Sequence, residues 1–255
     1  MRAGRVDRQE RQPEVRGTWV VGFHAVLAAV EQTPERVELV LIADGSGGRG
    51  QRILAAATRQ NLRVRPAVRR DLDAVAGGVA HNGVAARVTP APLVDPAELL
   101  AAPGVALILG LDCVEDGHNV GAVVRVAAAF ALTGLVLAGP HPPPLGGAAA
   151  KVAAGTLPLV RIGRVGSLGD YARTARQAGF WVFGADARGR ALDAVQFPER
   201  LVLCLGAEGA GLRAKTRSAL DEVVAIPLAA PVESLNLAVA AGVLAWEWRR
   251  RYPMP

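Results

Sequence analysis

The sequence predicts an α/β protein of two unequal domains, a small N-terminal α/β domain and a larger one built on a parallel sheet. Three observations predict it. Short apolar β-type runs alternate with helix-forming stretches along almost the whole chain, the pattern of βαβ units. Val105–Leu111 and Leu201–Leu205 are apolar enough to be buried on both faces, as strands covered by helices on either side are. Between the halves, Thr89–Gly104 holds four prolines and reads as a linker. At 255 residues, 51% of them hydrophobic, the chain is long enough for two real cores.

The elements follow in order. Residues 1–17 carry five Arg and three acids with almost nothing to bury, so they read as a disordered basic arm. Residues 18–88 form the first domain. It takes a helix over Phe23–Glu31, a strand at Val37–Ala43, a Gly-rich loop Asp44–Gly48 and a helix over Gln51–Gln60. A strand at Leu62–Val68, a short helix at Asp71–Ala76 and a strand at Val84–Val88 complete an αβαβαβ unit. After the linker (89–104, with one helical turn at Ala97–Ala101), residues 105–255 form the second domain. Its strands are expected at Val105–Leu111, Leu135–Ala138, Leu157–Ile162, Trp181–Gly184, Leu201–Leu205 and Val223–Ile226. Its helices are expected at Val120–Phe130, Leu168–Ala178, Leu212–Leu220 and from Leu237 onward, the last looking buried all round.

Composition narrows the function. The net charge is +6 and nearly all the positive charge is Arg; guanidinium forks suit phosphate, so a polyanionic partner is expected. The densest one-sign stretch is Arg49, Arg52, Arg59, Arg63, Arg65, Arg69 and Arg70, with no acid between them, a candidate for phosphate contact. Cys113 and Cys204 form no CxxC and have no His at ligand spacing; they read as buried small hydrophobes in a reducing compartment, and no metal site is expected. The N-terminus lacks the apolar core of a secretory signal, and no uncharged apolar run is long enough to span a membrane. A cytoplasmic protein is expected.

Chemistry concentrates in three loops after strong strands, where ligands of parallel sheets bind. In Asp112–Arg125, Asn119 sits where an N-cap would, and Arg125 is the one charge on the apolar helix that follows. Helical side chains lean toward the N-terminus, which sends Arg125 over Gly121 toward Asn119, past the small Ala122, Ala128 and Ala129. In Gly206–Leu212 the spacing is G-x-x-G-x-G, fitting neither a dinucleotide fingerprint nor a P-loop; Glu208 within it needs a partner. The third is the polar island Glu233-Ser234-Leu235-Asn236 after Ile226-Pro227. Ser and Asn there are helix caps, and a polar cluster between apolar stretches is equally a ligand site.

Taken together, these loops resemble the three motifs of the SpoU branch of the SPOUT RNA methyltransferases: N-x-G-x-x-x-R at Asn119, Gly121 and Arg125; G-x-E-G-x-G-L at Gly206, Glu208, Gly209, Gly211 and Leu212; and I-P followed by S-L-N at Ile226, Pro227, Ser234, Leu235 and Asn236. Lys151–Gly155, Gly22–Val26 and His81–Val84 resemble further family segments, so the likeness covers about residues 19–250. Gly117 stands where the family commonly has Pro, Ala131 where it often has Gly, and Asn82 where Gln is usual. The resemblance implies a SPOUT domain with a deep trefoil knot, an N-terminal substrate domain, and 2′-O-methylation of RNA ribose by S-adenosylmethionine. Its nearest branch modifies a guanosine of large-subunit rRNA, which makes 23S rRNA the expected partner. It further implies cofactor contacts at Leu205, Gly206, Gly211, Ile226 and Leu235, a catalytic set of Asn119, Arg125, Glu208, Ser234 and Asn236, and a homodimer through the C-terminal domain. A guanidinium does not readily deprotonate, so Arg125 is expected to stabilise the developing alkoxide or hold a phosphate. The alternatives are a tRNA ribose methyltransferase, an antibiotic-resistance rRNA enzyme, a silent RNA-binding assembly protein and a dinucleotide oxidoreductase, the last weakened by the missing fingerprint.

Overall fold

A computed structural model describes residues 17–76, 80–89, 93–146 and 148–254; the basic arm expected at the N-terminus lies, except for Gly17, outside them. The first domain runs β1 (Thr18–Val21), α1 (Phe23–Gln32), β2 (Val37–Ala43), α2 (Gly47–Arg59), β3 (Val64–Ala67), α3 (Arg69–Ala76) and β4 (Val84–Val88). Its sheet has the order β1-β4-β2-β3, with β2 and β3 parallel and the other pairs antiparallel. One face packs on α1 and α2 through Val26, Val30, Val40, Ile53 and Val84. The opposite face packs on α3 through Leu39, Leu41 and Leu72.

Strand β1 was not expected. Its four residues are only partly buried, and its pairing with β4 depends on a segment more than sixty positions away. Helix α2 starts at Gly47 rather than Gln51, because Gly50 packs directly under Ser46 and Ile42: a Cβ there would lie 1.8 Å from Ser46 Oγ. Close packing of the first turn on its own cap residue thus accommodates glycine despite its poor helix propensity.

The presumed linker is partly structural. Asp95 caps α4 (Pro96–Leu100), accepting from Ala97 N at 2.9 Å, with proline at the first turn as helix starts favour. Leu99 and Leu100 are buried in the core of the second domain.

That domain continues with β5 (Ala106–Asp112), α5 (Gly117–Ala129), β6 (Gly134–Ala138), α6 (Ala148–Ala153), β7 (Ile162–Val165) and α7 (Leu168–Gln177). It closes with β8 (Trp181–Ala191), β9 (Arg200–Gly206), α8 (Ala214–Arg217), β10 (Glu222–Ala225) and α9 (Leu237–Arg251). The sheet is wholly parallel, in the order β10-β8-β9-β5-β6-β7. Alternate residues of β5 and β9 serve opposite cores: Leu107, Leu109, Leu111, Leu201 and Leu203 meet α5 and α9, while Ile108, Val202 and Cys204 meet α4 and α7. Both faces are therefore covered, which is why these strands lack polar alternation.

Several boundaries differ from expectation. The strand expected at Leu157–Ile162 is a single 3-10 turn at Leu157–Leu159, with β7 starting at Ile162. Helix α6 was missed because six residues of Ala, Lys and Val after a Pro/Gly loop carry no period to read. β8 continues past Gly184 to Ala191, but Gly184 and Arg190 pair with the successive residues Val223 and Val224; Ala185–Gly189 is therefore looped out. The helix expected at Leu212–Leu220 contracts to the single turn α8. Ala131, where glycine is usual, has φ 45° just after α5, the left-handed stop for which glycine is favoured.

Cys204 is fully buried, and burial followed by the nearby Asp112 charge pushes its thiol far above the usual range. Cys113 is only partly buried, contrary to expectation, and sits at φ 55°. Among the described residues no helix is long and apolar enough to cross a membrane.

Candidate active site

The three loops converge at the carboxyl ends of β5, β9 and β10. Asn119 is not the cap of α5. Asp116 is, accepting from His118 N at 2.9 Å, so Asn119 falls within the first helical turn and its side chain is free to reach outward. It donates through Nδ2 to Glu208 Oε1 at 3.0 Å. Asn236 Nδ2 donates to Asn119 Oδ1 at 2.8 Å and to Glu208 Oε1 at 3.0 Å, closing a triangle of three side chains from three loops. Asn236 is also the cap of α9, its Oδ1 accepting from Ala238 N at 2.9 Å. Glu208 additionally lies 3.4 Å from Leu237 N, where the free amides of a helix start favour a negative charge.

Ser234 is exposed and stands two residues before the cap; it forms no hydrogen bond among the described residues. Arg125 is likewise exposed on α5, and among the described residues it enters no ion pair or hydrogen bond. The expected reach to Asn119 is therefore not made. Gly121 has another use than clearing space for that guanidinium. A Cβ on it would lie 2.4 Å from the Ala149 carbonyl oxygen, so Gly121 lets α5 and α6 touch.

The glycine loop is shaped by close contact with itself. A Cβ on Gly206 would lie 2.0 Å from the Gly211 carbonyl carbon, and Gly211 N donates to Ala207 O at 2.8 Å. Gly209 and Gly211 have φ 77° and 64°, which L side chains rarely adopt. A Cβ on Gly209 would meet nothing within 4 Å, so the loop tip is open to a ligand. Opposite lies the segment from Ile226 to Leu235. The stretch before the island is not a buried apolar loop, since Ala229 to Val232 are exposed. The backbone N–H groups of Glu233, Ser234 and Leu235 make no backbone hydrogen bond among the described residues. Open glycine backbone and free amides suit a cofactor held by main chain. Leu205, Gly206, Gly211, Ile226 and Leu235 lie in these two segments.

Three ion pairs beside the loop were not anticipated. Asp112, fully buried at the end of β5, accepts from Arg213 N at 2.9 Å and Arg213 Nε at 2.7 Å. Asp186, in the looped-out part of β8, accepts from Arg188 and Arg217, which hold its carboxyl well below the usual range. Arg217 Nε donates to Leu212 O at 3.0 Å. A carboxylate ending an all-apolar strand was the available signal for Asp112.

The seven arginines between positions 49 and 70 are all exposed. Arg49 and Arg52 lie 5.9 and 5.7 Å from the Phe23 ring centroid, and Arg59 is 4.0 Å from Glu31. Arg63, Arg65, Arg69 and Arg70 have no acidic partner among the described residues. Arg49 and Arg69 flank an open groove with Asp44, Ser46, Asp73 and His81. His81 Nδ1 accepts from Gly83 N at 3.0 Å, and its Nε2 is 3.1 Å from Asp73. No group of three or more His, Cys, Asp or Glu side chains among the described residues is placed to hold a metal ion.

A parallel α/β domain with a candidate ligand site at three strand-end loops is joined to a small α/β domain that carries an exposed arginine cluster. The chain belongs to the SpoU rRNA methylase family, whose model matches residues 106–246; residues 19–94 match the RNA 2′-O ribose methyltransferase substrate-binding domain. It is 38% identical over 235 residues to the 23S rRNA (guanosine-2′-O-)-methyltransferase RlmB of Xanthomonas campestris, covering 90% of this chain and 94% of that protein. The Escherichia coli RlmB is 34% identical over 233 residues, with 89% and 96% covered. The crystal structure of the SpoU methyltransferase AviRb from Streptomyces viridochromogenes superposes with a TM-score of 0.76 at 26% identity, covering 92% of this chain and 89% of that one. The trefoil knot expected from the sequence is implied by membership of this fold family.

Proposed function

We propose that the protein is an S-adenosylmethionine-dependent RNA 2′-O-ribose methyltransferase acting on a guanosine of 23S rRNA. The observation that carries this is the closed triangle of Asn119, Glu208 and Asn236, set beside a glycine loop with an open face. The similarity to RlmB proteins along nine-tenths of the chain supports the substrate, as does the exposed arginine cluster of the first domain.

S-adenosylmethionine supplies the methyl group, with Leu205, Gly206, Gly211, Ile226 and Leu235 holding it through their backbone. The chain itself must place a ribose hydroxyl in line with that methyl and accommodate the charge left as the hydroxyl proton departs. Arg125 is suited to the second task. Among the described residues its guanidinium has no counter-ion to compete with an incoming oxyanion or phosphate. The triangle fixes the relative positions of α5, the glycine loop and α9, and with them the site on which Arg125 and Ser234 act. Arg63, Arg65, Arg69 and Arg70, with Arg49, Arg52 and Arg59 beside them, would hold RNA phosphates.

The same reading includes a cytoplasmic homodimer. Helix α9 is not buried all round: Val239 and Trp246 are 51% and 57% exposed, one above the other on the helix, and Trp246 lies beside Phe130. An uncharged stripe of this kind suits a two-fold interface.

The test is methyl transfer from labelled cofactor to unmodified 23S rRNA and tRNA transcripts, with the methylated ribose mapped. Labelling of a guanosine ribose in 23S rRNA is expected. Labelling confined to tRNA, or binding of RNA with no transfer, would replace this reading with the tRNA-enzyme or assembly-protein alternative.

A further inference from the structure

Asp112 is a charged side chain with no solvent exposure, at the end of a strand otherwise built from apolar residues and glycine. Such a carboxylate needs partners that repay its lost hydration. Both partners come from one residue, Arg213: its backbone N–H reaches Oδ2 and its Nε reaches Oδ1. Asp112 also stands opposite Gly206 in the β5–β9 ladder. Gly206 enters the glycine loop and Arg213 is the first residue after Leu212, so one residue meets the loop at both ends. Between those ends the chain doubles back so tightly that Gly211 and Leu212 cover Gly206. A turn this close, with two left-handed glycines, has little local preference for its shape and depends on its anchors.

We infer that Asp112 and Arg213 are positioning residues for the cofactor loop, pinning its exit to the strand beside its entry so that the backbone of Gly206–Gly211 is preformed for ligand. The inference rests on assigning that loop to the cofactor. Neither residue touches the Asn119–Glu208–Asn236 triangle in any hydrogen bond, so the effect falls on cofactor binding rather than on the transfer step.

The experiment measures kcat and KM for S-adenosylmethionine, with direct cofactor binding by calorimetry, in Asp112→Asn, Arg213→Ala and the double variant. Asn keeps the shape of Asp but turns an N–H toward an N–H donor of Arg213. Arg213→Ala keeps the backbone bond and loses only the side chain. Asp112→Asn is expected to raise the cofactor KM and Kd roughly ten- to a hundredfold, the scale of one lost charge-assisted hydrogen bond, with kcat at saturating cofactor within about threefold. Arg213→Ala should shift the same two constants less, and the double variant should be no worse than Asp112→Asn, since coupled residues are non-additive. Thermal melts identify a variant that fails to fold; if Asp112→Asn does, Arg213→Ala decides. An unchanged cofactor Kd in a folded variant, or a loss confined to kcat, overturns the inference. Gly209→Val, which fills the open face and also strains a left-handed turn, perturbs the loop itself and so separates the two assignments. If it weakens cofactor binding while Asp112→Asn and Arg213→Ala do not, only the positioning role fails. If it too leaves binding unchanged, the loop is not the cofactor site.

Discussion

Asn236 donates to Asn119 across 117 positions of sequence, at 2.8 Å, while its carbonyl oxygen caps α9. One side chain therefore serves helix and site with opposite ends of the same amide. The two duties are separable because they use different atoms.

Asn236→Ser should separate them. Serine caps about as well as asparagine, whereas alanine loses the cap at about 1 kcal/mol. Asn236→Ser is expected to melt close to wild type and Asn236→Ala lower. Both lose the amide donors to Asn119 and Glu208, and both should lose at least about tenfold in kcat. Wild-type turnover in Asn236→Ser would show that the triangle does not support catalysis.

Arg125→Ala should abolish methyl transfer while leaving cofactor affinity nearly unchanged, because the guanidinium is exposed and makes no hydrogen bond to either cofactor segment among the described residues. Stability should also hold, since no internal bond is lost. Single-turnover rates and calorimetry check this; normal turnover removes Arg125 from the mechanism.

Replacing Arg63, Arg65, Arg69 and Arg70 together by Ala should raise the KM for RNA and leave cofactor binding alone. If each contacts one phosphate, the salt dependence of RNA affinity should flatten by about 3 in log–log slope. An unaltered slope would place the RNA elsewhere. Arg59, which has Glu31 beside it, should matter less than these four.

Trp246→Glu should convert a dimer into monomers by placing a charge in the uncharged stripe of α9. Sedimentation at micromolar concentration reads the outcome. A wild-type monomer under those conditions rules out the interface.

Much of this was legible in one dimension. The core strands β5 and β9 announced themselves because a parallel sheet covered on both faces needs unbroken apolar runs. Gly206, Glu208 and Asn236 stood out because glycines and polar groups at strand ends need a reason. What failed were features set by distant partners. β1 exists through its pairing with β4. Leu99 and Leu100 turn a proline-rich linker into part of a core. The use of Gly121 went unread for the same reason: it lies against α6.

The sequence by itself determined the two-domain α/β class and the three loops proposed to carry chemistry, through hydrophobic period and turn residues, and the family, through the resemblance of its motifs. Tertiary structure alone decided which of those residues touch: Asn119, Glu208 and Asn236 join, Arg125 and Ser234 stand apart, and Asp112 grips Arg213. A hydrogen bond acts over about 3 Å, and only the folded sheet, by aligning the ends of β5, β9 and β10, brings residues a hundred positions apart within that reach.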